Sequence, residues 1–415
     1  MEETDAGSRV ASQPGPDEAE AGAEQESELR PMEINLGPQH PSTHGVLRVV
    51  LELNGESVVS CTPHIGYLHT GMEKTIEHQR YQQAITIVDR MDYLSPMTNE
   101  LGFVLAVEKL LGIEVPRRAQ VIRIINAELS RIASHLVWLG THAMDMGAMS
   151  VFFYCFRERE LILDLWEAAA GQRMNPTYMR IGGLDGDVPD GWVEKARAFV
   201  EEFPTWVRDY YRLLDQNPLW VERLRGNCFL TVEDAIAHGI TGPMLRGSGL
   251  ALDLRKSAPY AGYEEYDFDV PVGERGDAFD RYMVRMREME ESRKIIAQAL
   301  DRLEPGPVSV RDDKIVPPPK EEISRSMEAL IYHFKLMTEG LKVPAGEVYL
   351  GIEGPKGEIG YYIVSDGSAR PFRCRVRPPC FYNLQGLPLL VRGQLVADVV
   401  TAIGSTDIVL GEVDR

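Results

Sequence analysis

The chain has 415 residues, 44% of them hydrophobic, and a formal net charge of -19, so it can fill one large core or two closely packed lobes. The acidic balance argues against a nucleic-acid groove, because such a groove needs lysine and arginine to neutralise phosphates. The five cysteines include no CxxC pair, which argues against a disulfide framework. Since no segment approaches the ~18 unbroken apolar residues of a membrane span, we predict a cytoplasmic chain.

Residues 1–31 are an acidic leader, and its Ala/Glu/Gly-rich composition predicts disorder. The rest of the chain, 32–415, is predicted as one domain in three parts. The first part, 32–95, is a β lobe with a functional loop. Within it, apolar and polar residues alternate in "GVLRVVLELNGESVVS" around Asn54-Gly55, which predicts a β-hairpin closed by a tight turn.

The second part, 96–340, has helical periodicity. Apolar residues from Val121 to Leu139 recur at steps of three and four and predict a buried helix. A second helix is predicted from a Ser150 cap to a Gly171 stop, and similar patterns cover 279–303 and 323–337. Four long helices predict a central bundle. In the third part, 341–415, alternating strands with glycine turns predict a C-terminal β region, so the fold class is α+β.

Two histidines stand four apart in "GPQHPSTHG", and a metal site is one interpretation of them. Pro41 and Gly45 make this stretch a loop, and neither an HExxH motif nor paired thiols accompany it, which argues against zinc. His40 and His44 could instead satisfy backbone groups in a turn. The composition of the stretch leaves both interpretations open.

Two further stretches contain polar residues that could line a site. In "VDRMDYLSPMTNE", Arg90 and Tyr93 stand just before the helical part, where side chains line either a cleft or an ordinary loop. Asp145 is a lone carboxylate in "THAMDMGAM", and burial would make it seek a cationic partner such as a histidine.

The sequence as a whole resembles the D subunit of the proton-pumping NADH-quinone oxidoreductase, respiratory complex I. The resemblance covers about 32–415, and the motifs that carry it are "GPQHPSTHG", "PHIGYLHTGMEKTIE", "DRMDYLSPM", "NAELSRIASHL", "FFYCFRERE", "GPMLRGSG", "FDVPVGERGD", "MEALIYHF" and "GEVDR". This family is related to the large subunit of nickel-iron hydrogenases, which hold their metals with two CxxC pairs. The corresponding positions here are Asp92, Ser95, Val409 and Glu412. Because no thiolates remain, we predict no metal site, and a hydrogenase-like activity is the weaker alternative.

The resemblance implies a chamber for quinone, the substrate, between this subunit and the B subunit. By similarity, His44 and Tyr93 donate protons to the quinone headgroup, and Asp145 pairs with His44 to favour its imidazolium form. No cofactor is expected to be bound by this chain. The terminal iron-sulfur cluster belongs to the B subunit, and NADH is oxidised elsewhere in the complex.

Two residues are expected near that cluster by similarity. Arg90 matches an arginine of the family, and Asn175 in "GQRMNPTYMRIGG" stands where the family usually has a histidine. The expected partners are the B and C subunits, the membrane H subunit and other peripheral-arm subunits. The expected location is the cytoplasmic face of the cell membrane, as a peripheral protein. A non-catalytic scaffold of a related membrane-bound oxidoreductase is the other alternative.

Overall fold

A computed structural model of the chain describes residues 32–415, and the predicted leader, 1–31, lies outside this range. The described strands form three antiparallel sheets. In chain order they are β1 Met32–Leu36, β2 Arg48–Asn54, β3 Ser57–His64, β4 Met179–Arg180, β5 Gly183–Leu184, β6 Gly346–Gly354, β7 Gly357–Ser365 and β8 Arg373–Arg377.

The α-helices of the first two thirds of this range are α1 Met72–His78, α2 Tyr81–Val88, α3 Pro96–Leu111, α4 Arg117–Asp145, α5 Met149–Ala170, α6 Trp192–Leu214, α7 Pro218–Leu224, α8 Val232–Ala237, α9 Pro243–Gly247, α10 Leu254–Ser257 and α11 Ala278–Asp301. Those of the last third are α12 Lys320–Ile323, α13 Met327–Thr338, α14 Pro379–Gln385, α15 Leu387–Val391, α16 Val396–Thr406 and α17 Leu410–Asp414. Short 3₁₀ helices occur at Pro41–Thr43 and Tyr263–Glu265.

The predicted hairpin is confirmed. Strands β2 and β3 pair antiparallel, and Gly55 at the turn has a φ of 64°, which a glycine adopts at little cost. Val49, Leu51 and Leu53 of β2 are buried, as alternation requires. Strand β1, which we did not predict, pairs with the other edge of β2.

Helix α4 is the centre of the molecule, as its apolar stripe predicted. It is buried along most of its length and packs against α3, α5, α11 and α16. Helix α5 ends at Gly171 as predicted, with a φ of 75°, but its N-cap is Ala148 rather than Ser150. The remaining long helix of this core is α6, which packs on α5 and α11 and which we did not predict.

The prediction that the helix over 323–337 belongs to the buried bundle is wrong. Helix α13 occupies this stretch and packs mainly on the short α12. Phe334 is 65% exposed and Met327 76% exposed, and only Ala329 and Leu336 of the helix are buried. An apolar stripe at helical spacing identifies a helix that has one apolar face, but it does not specify what covers that face.

The boundaries of the β parts also differ from our prediction. Helices α1 and α2 lie within 32–95, and the strands of the C-terminal part end at Arg377. Four short helices then occupy most of the remainder. The first of them, α14, begins at Pro379, where the missing N–H of proline costs no hydrogen bond. A mainly helical core with small antiparallel sheets towards both ends of the described chain confirms the α+β class.

Within 32–415, none of the helices has both the length and the apolar character that crossing a membrane requires.

Candidate functional site

The loop that contains His40 and His44 is held in one conformation by its own residues. Gly37 has a φ of 79°, and a Cβ atom there would lie 2.2 Å from the carbonyl oxygen of Leu47, so only glycine fits. The buried Thr43 hydroxyl donates to the carbonyl oxygens of Pro38 at 3.0 Å and His40 at 2.9 Å. The loop therefore presents its two histidines in fixed places.

His40 is the N-cap of the 3₁₀ helix Pro41–Thr43, and its Nδ1 accepts from the backbone N–H of Ser42 at 3.2 Å. His44 ends that helix with a φ of 55°, a left-handed conformation in which histidine is more common than most residues. Together with Gln39, Pro41 and Gly45, both histidines line an open depression of about 540 Å³.

The structure does not bring Asp145 to His44 as we predicted from the resemblance. Asp145 is the last residue of α4, and within 32–415 no ion pair or hydrogen bond joins the two side chains. The positive charge that acts on the carboxylate is that of His40. Burial raises the pKa of Asp145 above its ordinary value, and the His40 charge opposes this rise. Of the two histidines of the loop, His40 is therefore the one whose charge acts on Asp145.

His44 is also not poised as an imidazolium. Its side chain is exposed to the depression, yet the surrounding loop excludes enough water to lower the pKa of His44 from its ordinary value. The positive charge of Lys356 lowers this pKa further. This direction is opposite to our expectation that a carboxylate favours the charged form, because burial and the charge of Lys356 both favour the neutral imidazole.

Tyr93 lies half-buried between the end of α2 and helix α17. A Cβ atom built on Gly411 would lie 3.2 Å from Tyr93 Cε1, so the ring packs directly on the glycine backbone. Burial raises the pKa of Tyr93 above its ordinary value, and the charge of Asp92 raises it further. The positive charge of Lys356 acts in the opposite sense. The charge of Lys356, which is distant in sequence from both residues, therefore acts on His44 and on Tyr93.

Arg90 and Asn175 lie on two segments that meet at Asp89. The Arg90 side chain is exposed and donates to the carbonyl oxygen of Thr86, one turn back in α2. The hydroxyl of Thr177 donates to Asp89 Oδ2 at 2.8 Å, which fixes the loop of Asn175 beside the residue that precedes Arg90. Asn175 has a φ of 50°, and its buried Oδ1 has no hydrogen-bond partner among the described residues.

Sequence reasoning missed the cation that organises the site. Lys356 stands in the turn between β6 and β7, in a glycine-rich sequence where a lysine would normally be solvated. Instead it is 1% exposed, and its Nζ lies 3.3 Å from Asp92 Oδ2 and 3.9 Å from Asp407 Oδ2. The ammonium also donates to the hydroxyl of Ser134 in α4. We call Lys356, Asp92, Asp407 and Glu412 the Lys356 cluster.

Three of the four positions matched to hydrogenase thiolates, Asp92, Val409 and Glu412, lie at or next to this cluster. Glu412 Oε2 accepts from the backbone N–H of Cys380 at 3.1 Å, and the backbone N–H of Val409 donates to Cys380 Sγ at 3.3 Å. Burial and the neighbouring Asp92 charge raise the pKa of Glu412 above its ordinary value. Cys380 is a thiol here, because burial raises its pKa. Within 32–415, no three His, Cys, Asp or Glu side chains are arranged to hold a metal ion. The absence of bound metal stays a prediction, which elemental analysis of the purified chain would test.

The loop after β3, which contains the motif "PHIGYLHTG", is hydrogen-bonded to Asp414 of the C-terminal helix α17. The Asp414 carboxylate accepts from the backbone N–H groups of Gly66 at 2.8 Å and Leu68 at 2.7 Å. His69 Nδ1 lies 2.7 Å from the carbonyl oxygen of Asp414. The C-terminal helix thus positions Glu412 on one side and the loop after β3 on the other.

The helical core and its buried charged cluster form one site-bearing fold, and comparison with known proteins specifies the family that has it. The family described as "Respiratory-chain NADH dehydrogenase, 49 Kd subunit" matches residues 145–415. The chain is 57% identical over 384 residues to the D subunit of NADH-quinone oxidoreductase from Geotalea uraniireducens, covering 92% of this chain and 98% of that protein. It is 56% identical over 384 residues to the corresponding protein of Geobacter sulfurreducens, with 92% and 98% coverage. A D subunit of NADH-quinone oxidoreductase from a Roseiflexus species is 57% identical over 391 residues, with 94% of each chain covered.

The chain therefore belongs to the family of NADH-quinone oxidoreductase D subunits, the 49 kDa subunits of the respiratory-chain NADH dehydrogenase. It is part of a multisubunit oxidoreductase.

Proposed function

We propose that this chain forms the quinone-reduction chamber of the complex together with the B subunit. The observation that carries the proposal is the position of His44 and Tyr93 beside the buried Lys356, next to the former thiolate positions Asp92 and Glu412. His44 lines the open depression and Tyr93 is influenced by the same buried ammonium, so a hydrogen-bond donor and a proton donor are available to a headgroup that takes up two electrons and two protons.

Tyr93 is the proton donor in this proposal. Because its pKa is raised, the phenol keeps its proton at neutral pH and gives it up only to a strongly basic oxygen, such as that of a quinone that has gained electrons. His44 is neutral and binds the second carbonyl by donating a hydrogen bond from its ring N–H. Electrons come from the iron-sulfur cluster of the B subunit, and NADH is oxidised elsewhere in the complex.

Asp145 has a positioning role in the proposal. Paired electrostatically with His40, it steadies the loop that presents His44. Arg90 and Asn175, joined through Asp89 and Thr177, face the B subunit near its cluster. The C subunit, the membrane H subunit and other peripheral-arm subunits complete the assembly, at the cytoplasmic face of the cell membrane. The reaction is coupled to proton translocation in the complex.

A photoactivatable quinone analogue tests the placement. In the assembled complex, illumination should label the segments that contain His44 and Tyr93, and an excess of natural quinone should suppress the labelling. The exposed apolar face of α13 provides an internal control, because any apolar probe could adhere there without competition. The proposal would be contradicted if the analogue labelled this chain only outside both segments, or if an excess of natural quinone did not reduce the labelling.

A further inference from the structure

The Lys356 cluster contains more acid than base. Lys356 faces three buried carboxylates, those of Asp92, Asp407 and Glu412. The next cation is Arg285, whose Nε lies 3.8 Å from Asp407 Oδ2, but Arg285 also faces Glu288. Three ionised carboxylates around one ammonium repel one another, so the cluster favours the uptake of a proton.

Several carboxylate oxygens of the Lys356 cluster lack the hydrogen bonds that a structural ion-pair network would give them. Asp92 Oδ2, Asp407 Oδ2 and Glu412 Oε1 are each buried and form no hydrogen bond among the described residues. An unpaired buried polar atom is costly, and native networks normally satisfy such atoms. By contrast, the buried pair of Glu108 and Arg123 is fully bidentate, with distances of 2.9 Å and 2.7 Å. The oxygen atoms of the Lys356 cluster that lack hydrogen-bond partners therefore offer several positions at which a proton can bind.

The cluster adjoins Tyr93 through Asp92 and through helix α17. Asp92 is the residue before Tyr93, and Glu412 follows Gly411, on which the Tyr93 ring packs. Burial raises the pKa of Asp407 to about 6 and that of Glu412 above its ordinary value, so both carboxyls bind a proton at a pH closer to neutrality than ordinary carboxyls do. Among the described residues no side chain hydrogen-bonds the Tyr93 hydroxyl.

We propose that the Lys356 cluster stores one proton and returns it to Tyr93 after each quinone reduction. This inference rests on the proposed function. A quinone that has received two electrons derived from NADH takes up two protons to become quinol. Tyr93 gives its O–H proton to one oxygen, so the phenolate remains, and the other oxygen, bound by His44, takes its proton from solvent in the open depression. A protonated carboxyl of the cluster then transfers its proton to the phenolate oxygen, and the carboxylate left behind is stabilised by Lys356. Between turnovers the cluster regains its proton from bulk solvent.

Infrared difference spectroscopy of the unmodified assembled complex is the primary test. During steady quinone reduction driven by NADH, the C=O stretching band of a buried carboxylic acid should lose intensity, and it should shift when the solvent is D₂O. A difference spectrum without such a band would overturn the proposal, whatever the variants do.

The variants Glu412→Gln and Asp407→Asn show which carboxyl gives the C=O band, and they test whether the cluster stores the proton. Glutamine can still accept from the Cys380 N–H, and asparagine suits the φ of 54° at position 407. Each variant complex should complete a normal first turnover, because Tyr93 starts with its own proton. Later turnovers should be slower by about tenfold or more, because the phenolate is reprotonated slowly. The band should be lost or diminished.

The matched control is Asp398→Asn, which removes a buried carboxylate from α16 in the same part of the chain. Asp398→Asn should leave the first turnover, the later turnovers and the infrared band unchanged. If both cluster variants show normal steady turnover, or retain the band, the proposal is wrong. If a variant complex does not assemble, the other variant and the spectrum of the unmodified complex still decide. Failure of the proposed function would look different, because Tyr93→Phe would then leave even the first turnover intact.

Discussion

Tyr93 and His44 are perturbed in opposite ways by the same surroundings. Loss of water favours the neutral form of each group, so it raises the pKa of the phenol and lowers that of the imidazole. At neutral pH both groups are therefore uncharged. In the proposed function, the phenol is therefore the proton donor to a basic oxygen and the imidazole is a neutral hydrogen-bond donor.

The variant His44→Gln distinguishes a neutral hydrogen-bond donor at position 44 from an imidazolium that donates a proton. Glutamine can donate a hydrogen bond but cannot titrate. If His44 acts in its neutral form, the variant complex should retain quinone reductase activity within about tenfold, and its rate should depend on pH as in the unmodified complex. His44→Ala, which removes the donor, should lose more. A collapse of activity in His44→Gln that equals the loss in His44→Ala would show that the imidazolium is the acid.

Asn175 is a second residue whose replacement is informative. Its left-handed conformation suits asparagine and is also tolerated by histidine, so Asn175→His should fold. Since asparagine cannot titrate, we expect a low and nearly pH-independent midpoint potential for the cluster of the B subunit in the unmodified complex. Asn175→His should introduce a slope approaching roughly 59 mV per pH unit where the new group titrates.

An EPR-monitored redox titration at several pH values measures this slope. A one-proton slope already present in the unmodified complex would show that another group titrates. A candidate for that group is Asp89, which accepts a hydrogen bond from Thr177 in the loop of Asn175. Burial raises the pKa of Asp89 above its ordinary value.

Among the secondary-structure elements, α3 and α4 are joined by a buried ion pair. Arg123 of α4 donates to both carboxylate oxygens of Glu108 in α3, and its Nη2 also donates to the carbonyl oxygens of Arg180 and Gly183. Glu108 accepts in addition from the backbone N–H of Gly182. One pair therefore fixes the β4–β5 hairpin against the helical core.

Arg123→Met should destabilise the chain by about 3–5 kcal/mol, because it leaves the Glu108 carboxylate buried without its partner. Chemical unfolding of the purified chain measures this difference. Arg212→Met, at an exposed pair with Asp209, is the control and should change the free energy of unfolding by less than about 1 kcal/mol. A loss for Arg123→Met no larger than that of the control would mean that the pair is replaceable.

Elements governed by local periodicity could be predicted from the sequence, and their surroundings could not. The hairpin at Asn54-Gly55 and the buried helix α4 follow from alternation and from steps of three and four. The same pattern did not reveal that the apolar face of α13 is exposed. The helices after Arg377 were missed because alternation in the preceding strands was extended beyond the point at which it stops.

Across the complete fold, the site is assembled from segments far apart in sequence. The loop of His44 packs on α16, Tyr93 packs on α17, and Lys356 comes from a strand turn. The resemblance supplied His44 and Tyr93 as candidates, but Lys356 could not be found from the sequence, because its burial depends on tertiary packing. Burial, and after it the charge of Lys356, lowers the pKa of His44 and so acts against the predicted imidazolium.

The proposed function depends above all on proton donation from Tyr93 to quinone, and Tyr93→Phe isolates this step. The variant keeps the ring that packs on Gly411 and removes only the hydroxyl. Tyr362→Phe, which removes an exposed hydroxyl bonded to Glu347, is the matched control. Quinone reduction by NADH is measured in assembled complexes, with NADH oxidation by an artificial acceptor that bypasses quinone as the check on assembly. We predict that Tyr93→Phe lowers the quinone reductase rate by at least about tenfold, equivalent to about 1.4 kcal/mol of transition-state stabilisation, while the bypass activity and the control variant are unaffected. An assembled Tyr93→Phe complex that reduces quinone at the unmodified rate would contradict this role and favour a scaffold role for this chain.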